Sequence, residues 1–144
     1  MMAPLVHQAT CVAIGGRAVL IEGAPGSGKS SLALALIDRG AQLVGDDGVT
    51  LTVEDGVVMA APPPHTAGLL EVRNVGLLPF PALARAPVAL VLRLDREAPR
   101  FIEDAERITL AGVSLPLVRL WPDSAVLHLR AEAALARHGL ALSL

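Results

Sequence analysis

The chain has 144 residues, a length typical of one domain and sufficient to bury about 68–70% of the surface exposed by the unfolded chain. Apolar residues make up 53% of it but aromatic residues only 2%, so Ala, Val and Leu supply most of its hydrophobicity. The net charge of −2, with no basic block, argues against nucleic acid as a partner. No charge-free apolar run reaches the roughly 18 residues of a membrane span, and the N-terminus lacks the features of a secretory signal.

Cys11 is the single cysteine, so the chain cannot form an internal disulfide. This suits a reducing compartment, and we expect a cytoplasmic protein with no membrane partner.

The first predicted elements are two strands, residues 8–14 and 17–22, joined by a Gly15-Gly16 hairpin turn. In such a hairpin His7 lies toward the edge of the sheet at which the second strand ends, or just beyond the neighbouring strand. From residue type alone, the favoured alternative for a lone histidine near a terminus is a solvated surface position.

The next stretch fits the phosphate-loop pattern G-x-x-x-x-G-K-[ST] and reads Gly23-Ala24-Pro25-Gly26-Ser27-Gly28-Lys29-Ser30. A short apolar strand precedes it and a run of helix formers follows, which is the context that the motif requires. Its glycines allow successive N–H groups to surround phosphate oxygens, and the start of the helix favours negative charge. We expect Lys29 to reach the terminal phosphates and Ser30 to ligate Mg²⁺. The alternative is a glycine-rich turn that carries Lys-Ser by chance.

A helix is predicted over residues 29–39, with Leu32, Leu36 and Ile37 facing the sheet and Gly40 as its end. A strand over residues 42–44 then leads to Asp46-Asp47, and ligands of α/β sheets gather at such strand ends. Two adjacent carboxylates repel by roughly 4 kcal/mol at 4 Å and an effective dielectric of 20, which a bound Mg²⁺ relieves. The alternative is an ordinary Asp-Asp-Gly turn.

The remaining elements are mostly extended. The pattern predicts a hairpin over 49–53 and 57–60, a rigid loop over 62–68, a short extended segment over 69–73 and a buried strand over 87–94. It ends with a hairpin over 108–110 and 113–120, in which Pro116 favours an edge position for the second strand, and a helix over 125–138. Glu71 and Arg73 share one face of the segment 69–73, either as a surface ion pair or as a metal ligand and a phosphate-binding cation.

Four motifs in order resemble the catalytic, C-terminal domain of HPr kinase/phosphorylase. His7 lies sixteen residues before Gly23, and the phosphate loop is followed by a helix that ends in Ile37-Asp38-Arg39-Gly40. The other two motifs are Leu43-Val44-Gly45-Asp46-Asp47 and Leu70-Glu71-Val72-Arg73-Asn74-Val75-Gly76. The resemblance covers residues 7–76 and is weak beyond residue 80. It implies a short form without the family's N-terminal domain, with residues 1–144 as a single catalytic domain.

The implied fold is an α/β phosphate-loop kinase core of the HPr kinase and phosphoenolpyruvate carboxykinase type, a mixed sheet with β-hairpins and few helices. The implied activity is ATP- and Mg²⁺-dependent phosphorylation of a serine of HPr, the phosphocarrier protein of sugar phosphotransferase systems, and also phosphorolysis of that phosphoserine. The resemblance also allows a homo-oligomer.

The resemblance implies that Asp47 is the general base for the serine hydroxyl and the acid in the reverse direction. His7 would lie near the transferring group, and Arg73 would bind phosphate or the partner. The implied metal ligands are Ser30 and Asp46, with Glu71 as a second-metal or water-mediated ligand. Ser31 extends the nucleotide-binding segment and stands where many members carry an acidic residue.

Two other functions remain open from the sequence. One is a small-molecule phosphate-loop kinase, although such enzymes usually continue in βα units rather than hairpins. The other is an ATP-binding sensor module without catalysis, against which the presence of both Asp46 and Asp47 argues.

Overall fold

The computed structural model describes residues 4–63 and 65–142, so Pro64 of the predicted rigid loop lies outside the described residues. The first half of the chain contains six strands and one helix, namely β1 (Leu5–His7), β2 (Thr10–Ile14), β3 (Arg17–Glu22), α1 (Lys29–Asp38), β4 (Gln42–Gly45), β5 (Val49–Glu54) and β6 (Val57–Ala61). The second half contains β7 (Leu69–Val72), β8 (Gly76–Pro79), β9 (Ala86–Leu94), β10 (Glu106–Leu110), β11 (Val113–Leu120) and α2 (Leu127–His138).

The three predicted hairpins are confirmed: β2 pairs with β3, β5 with β6, and β10 with β11, all antiparallel. In each two-residue turn both residues have a positive φ, as in Gly15 (58°) and Gly16 (84°). Such turns match the right-handed twist of the strands that they join. In the last turn Ala111 adopts a φ of 51°, a conformation that costs an L-residue about 1–2 kcal/mol.

Most strands form one curled mixed sheet, in the order β1-β5-β6-β9-β3-β2-β4. The long strand β9 is its junction: its beginning pairs with β6, and its later residues pair with β3 on one side and β11 on the other. Strands β7 and β8 form a separate two-stranded sheet. The predicted mixed α/β architecture, with hairpins and few helices, is therefore observed.

Two short strands were not predicted: residues 5–7 form β1 and residues 76–79 form β8. The predicted edge position of the strand that contains Pro116 is wrong, because β11 pairs with β10 on one side and with β9 on the other. The parallel ladder with β9 begins only at Leu117. Pro116 therefore lies just before this ladder, where its missing N–H group costs no hydrogen bond to β9.

The strands of the central sheet bury both of their faces. On β3, Val19 and Ile21 pack in the cluster with α1 and α2, whereas Ala18 and Leu20 pack in a second cluster with β5 and β6. This alternation follows the two-residue period of a strand. Burial of both faces fixes the register of β3, because a slip of one residue would exchange the two sets of side chains.

The directions of the strands determine which edge of the sheet can form a ligand-binding site. β9 runs parallel to β3, and β11 runs parallel to β9. β4 also runs in the direction of β3, because each of them is antiparallel to β2. The carboxyl ends of β3, β4, β9 and β11 therefore lie at the same edge of the sheet, where the phosphate loop and Asp46 follow their strands.

Candidate active site

The phosphate loop, residues 23–30, connects the end of β3 to the start of α1. Gly26 and Gly28 have φ angles of 79° and 104°, in the left-handed region that favours glycine. Gly23 meets a different constraint, because a Cβ atom there would lie 2.5 Å from Ser27 Oγ. The left-handed backbone at Gly26 and Gly28 and the close approach of Ser27 to Gly23 therefore favour glycine at these three positions of the motif.

The hydrogen-bond donors and the positive charge of this loop are suited to binding an anion. Gly28 is the N-cap of α1, which has no side-chain cap and no acidic residue in its first turn. Within the described part of the chain, the buried Ser27 Oγ has no hydrogen-bond partner. Lys29 Nζ donates to Gly23 O at 2.8 Å and to Ala24 O at 3.2 Å, so its charge stays at the loop. An uncapped helix start beside a lysine favours phosphate oxygens.

Asp46 follows β4 and joins three separate segments of the chain. Its Oδ1 accepts hydrogen bonds from Ser30 Oγ at 2.7 Å and from Thr10 Oγ1 at 3.1 Å. Its Oδ2 accepts a hydrogen bond from the Glu71 backbone N–H at 3.0 Å. The structure thus brings together Ser30, Asp46 and the backbone of Glu71, the three residues that were predicted as metal ligands.

Asp47 lies beside Asp46 but differs from it in environment. Its side chain is exposed, and none of the hydrogen bonds or ion pairs formed between described residues involves it. Its φ of 57° places it in the left-handed region, which Asp tolerates better than most residues. The turn behind it is tight, because a Cβ atom on Gly45 would lie 2.6 Å from Gly48 O. The turn therefore holds one aspartate in hydrogen bonds and leaves the other free.

Glu71 and Arg73 belong to the β7–β8 hairpin. Glu71 pairs with Leu77 across this hairpin, and Arg73 follows β7 in the connection to β8. Both side chains are exposed, and none of the ion pairs between described residues joins them. The hairpin reaches the phosphate loop through the Glu71 backbone and Asp46, and none of the hydrogen bonds or ion pairs between described residues joins Arg73 to this cluster.

His7 lies at the same edge of the sheet, opposite Val49 in the pairing of β1 with β5. The His7 side chain is half-buried, and its Nε2 lies 2.7 Å from Glu22 Oε2. His7 is therefore paired with a carboxylate and is not a solvated surface residue. Arg93 Nε and Nη2 donate to Glu22 Oε1 at 3.1 Å and 2.7 Å. Burial raises the pKa of the Glu22 carboxyl, but hydrogen bonds and charges from His7 and Arg93 outweigh it and lower that pKa below 4.5.

The His7–Glu22–Arg93 cluster lines a cleft of about 520 Å³ together with Gly23 and Ala24 of the phosphate loop. Ser31, the last of the predicted nucleotide-binding residues, is exposed in the first turn of α1 and lines a smaller cleft of about 180 Å³. The phosphate loop therefore borders both the cleft with the charged cluster and a groove beside α1.

Within residues 4–63 and 65–142, no group of three His, Cys, Asp or Glu side chains is arranged to hold a metal ion. Mg²⁺ is commonly held by one or two carboxylates, waters and the phosphates of a substrate rather than by a full set of protein ligands. Asp46 with the Ser30 hydroxyl offers this kind of partial oxygen site. None of the helices in the described part of the chain is long and apolar enough to cross a membrane.

Three residues of this region were not predicted: Thr10, Glu22 and Arg93. Glu22 and Arg93 had a signal in the sequence: Glu22 directly follows the apolar run of residues 18–21 in β3, and Arg93 is the single charged residue of β9. Thr10 had none, because a threonine that begins a strand is common. Its role follows only from the pairing of β2 with β4, which places it beside Asp46.

Residues 2–84 match the sequence family described as the HPr Serine kinase C-terminal domain. The chain is 48% identical over 68 residues to the HPr kinase/phosphorylase of Clostridium novyi, and 46% identical over 72 residues to that of Clostridium acetobutylicum. These matches cover 47% and 50% of this chain but only 22% and 24% of the relatives, so the chain spans less than a quarter of the proteins that it matches.

The structure is similar over almost its whole length to the Hpr(Ser) kinase/phosphatase from Coxiella burnetii. The TM-score is 0.80 at 26% sequence identity, and the match covers 92% of this chain and 94% of the other. The likeness therefore includes the region after residue 84, where the sequence resemblance is weak. It confirms the predicted fold, and the matching family confirms the predicted resemblance. The chain belongs to the family of the HPr Serine kinase C-terminal domain.

Proposed function

We propose that this chain is an ATP- and Mg²⁺-dependent serine kinase that phosphorylates an HPr-type phosphocarrier protein. Family membership and the relatives named HPr kinase/phosphorylase support this function. Residues 1–144 act as one catalytic domain in the cytoplasm, without a nucleic-acid or membrane partner. The proposal extends to the reverse reaction, in which inorganic phosphate removes the phosphoryl group from HPr, and it is compatible with a homo-oligomer.

The observation that carries this proposal is the contrast between two adjacent aspartates. Asp46 is held by the Ser30 hydroxyl of the phosphate loop at 2.7 Å, whereas the carboxylate of the neighbouring Asp47 is exposed and unpaired among the described residues. The Asp46 carboxylate is thus placed beside the phosphate loop to bind a metal, and the Asp47 carboxylate is accessible to a substrate. An exposed, unpaired carboxylate next to that of Asp46 favours catalysis over nucleotide binding alone.

In the proposed reaction, the γ-phosphoryl group of ATP moves to a serine hydroxyl of the partner, which yields ADP and phosphoserine. Asp47 accepts the hydroxyl proton, because serine is a poor nucleophile at neutral pH. Lys29 and the N–H groups of the phosphate loop bind the phosphates. Ser30 and Asp46 would hold the metal, with Glu71 as a second-metal or water-mediated ligand. When bound, Mg²⁺ neutralises charge on the phosphates. In this proposal His7 acts near the transferring group, and Arg73 binds phosphate or the partner.

The protein should be mixed with ATP, Mg²⁺ and HPr, and phosphoserine measured by mass spectrometry. We expect a phosphoserine on HPr that depends on both ATP and Mg²⁺. Tight ATP binding without transfer would support a sensor module instead, and transfer to a small molecule but not to HPr would support a metabolite kinase. Loss of the phosphoserine after addition of inorganic phosphate, with release of pyrophosphate, would establish the reverse reaction.

A further inference from the structure

The Glu22 carboxylate is the centre of a charged cluster at the mouth of the phosphate loop. Its side chain is 12% exposed, and those of His7 and Arg93 are 21% and 31% exposed. A carboxylate buried to this extent is costly unless it is paired and hydrogen-bonded. Both carboxylate oxygens of Glu22 meet this condition: Oε2 is hydrogen-bonded to His7, and Oε1 is hydrogen-bonded to Arg93. The three side chains therefore hold each other in fixed positions.

The cluster has a fixed position relative to the phosphate loop. Glu22 is the residue immediately before Gly23, and it lies directly beside Arg93 in the parallel pairing of β3 with β9. Asp95 is the other charged residue that lines the same cleft, and it is paired with Arg119 Nη1 at 3.0 Å. Asp95 is thus engaged by a different arginine, which leaves the Arg93 guanidinium as the fixed cation of this cleft beside Gly23 and Ala24.

Arg93 retains hydrogen-bonding capacity toward the cleft. Its Nε and Nη2 are used by Glu22 Oε1, and its Nη1 has no hydrogen-bond partner among the described residues. A guanidinium that is held on one side by a carboxylate is oriented for an anion on its other side, and a fixed cation needs no reorganisation when charge develops beside it. In phosphoryl transfer this charge lies on the equatorial oxygens of the transferring group.

We propose that Arg93 contacts the transferring phosphoryl group and that Glu22 is the positioning residue that holds Arg93 and His7 against the phosphate loop. This inference rests on the proposed kinase function. The alternative is that the cluster only stabilises the end of the sheet. Under that alternative, changes in it affect the free energy of unfolding but not the binding of a transition-state mimic.

The test compares the affinity of the full chain for Mg²⁺ and ADP with its affinity for the same ligands plus aluminium fluoride, which mimics the transferring group. Glu22→Gln keeps the shape and removes the charge, and Arg93→Met removes the guanidinium. We expect both variants to bind Mg²⁺ and ADP within about twofold of the unaltered protein. We expect each to lose about tenfold to a hundredfold of the tightening caused by aluminium fluoride, the range for losing a hydrogen bond to a charged group. Glu54→Gln is the matched control, because Glu54 pairs with Arg85 at 2.6 Å on an exposed surface.

Chemical rescue provides a readout that a purely structural role would not change. In Arg93→Ala, added guanidinium ion should restore part of the tightening, because the Glu22 carboxylate can still hold it. In the double variant Glu22→Gln/Arg93→Ala the same ion should have little effect. If Glu22→Gln fails to fold, Arg93→Met and the rescue of Arg93→Ala test Arg93 alone.

The outcomes separate the inference from the function on which it rests. Unchanged tightening in Glu22→Gln and Arg93→Met would overturn the inference, as would absence of tightening in the unaltered protein that still binds Mg²⁺ and ADP. Failure of the unaltered protein to bind Mg²⁺ and ADP at all would refute the kinase function together with the inference. Tightening that depends on Glu22 and Arg93, in a protein that does not phosphorylate HPr, would support the inference and contradict only the identity of the acceptor.

Discussion

At the scale of single residues, the two neighbouring aspartates have opposite environments although the sequence gives them the same chemistry. Asp46 accepts three hydrogen bonds from three segments of the chain, and Asp47 accepts none from the described residues. The difference coincides with a change in the backbone, since Asp47 lies beyond the end of β4 and adopts a φ of 57° with its side chain exposed. The sequence predicts an acidic pair, and only the turn geometry distinguishes its members.

Asp47→Asn should lower the rate of phosphoryl transfer by at least about a hundredfold, the usual contribution of a general base. An amide cannot accept the serine proton, but it leaves Asp46 and the phosphate loop unchanged, so affinity for ATP should remain near normal. Quench-flow measurement of phosphoserine and calorimetric titration with ATP would separate the two effects. Asp55→Asn is a matched control, because Asp55 is also exposed and has a φ of 52°. Near-normal transfer by Asp47→Asn would show that another group is the base.

Glu22 should make the free energy of unfolding depend on pH in the acid range. Its pKa in the folded protein is below its ordinary value of 4.5, so its stabilising contribution is complete above that value and is lost as the pH falls through the folded pKa. The difference in the free energy of unfolding between the unaltered protein and Glu22→Gln should therefore be largest near neutral pH and decrease below about pH 4.5. Urea denaturation across this range measures it. A difference that is constant with pH would contradict the ion cluster.

At the scale of elements, the connection between β4 and β5 is the part of the fold that shapes the site. A Cβ atom on Gly45 would lie 2.6 Å from Gly48 O and 2.8 Å from Val49 Cγ1. Glycine is thus required at the residue before the aspartate pair because the chain folds back tightly upon itself. The motif quoted from the sequence contains this glycine, but its steric reason is visible only in the folded turn.

Gly45→Ala should lower the free energy of unfolding by about 1–3 kcal/mol, as expected for an inserted methyl group without space. Because the turn must open, it should also weaken the Mg²⁺-dependent part of nucleotide affinity. Gly56→Ala is the control, since Gly56 has a φ of 77° but nothing within 4 Å of the added atom and lies in another hairpin. It should lose stability without any change in nucleotide affinity. If the Mg²⁺-dependent part of nucleotide affinity were unchanged in Gly45→Ala, the shape of this turn would not be needed for metal binding.

The hairpins themselves were predictable, because each depends on a two-residue turn flanked by extended residues. The position of β11 was not, because it depends on where the parallel ladder with β9 begins. Strands β1 and β8 were also missed. β1 has only three residues, which is too short for a periodic pattern, and the four residues of β8, Gly-Leu-Leu-Pro, do not alternate between apolar and polar side chains.

At the scale of the whole molecule, the apolar layer between the sheet and the two helices should contribute more stability than the polar contact between these helices. Leu36 of α1 is 1% exposed and packs in the cluster that includes residues of β3, β9 and α2. Arg39, just after α1, forms an ion pair with Glu132 of α2 at 2.8 Å, but the guanidinium side chain is 45% exposed.

Leu36→Ala should therefore lower the free energy of unfolding by about 2–5 kcal/mol, and Arg39→Ala by less than about 1 kcal/mol. Chemical denaturation of both variants checks the two values, and added salt should reduce the smaller one further because exposed ion pairs are screened. A loss in Arg39→Ala equal to that in Leu36→Ala would mean that the helices are held mainly by their polar contact.

The sequence alone determined the features carried by neighbouring residues: the phosphate loop between a strand and a helix, the three hairpin turns, and the acidic pair after β4. It determined the family for the same reason, because the motifs have fixed spacing along the chain. The tertiary structure decided which distant side chains meet. Thr10 reaches Asp46 across 36 residues, and Glu22 binds His7 and Arg93 across 15 and 71 residues. No local pattern encodes these pairs, because each depends on which strands pair and in which register.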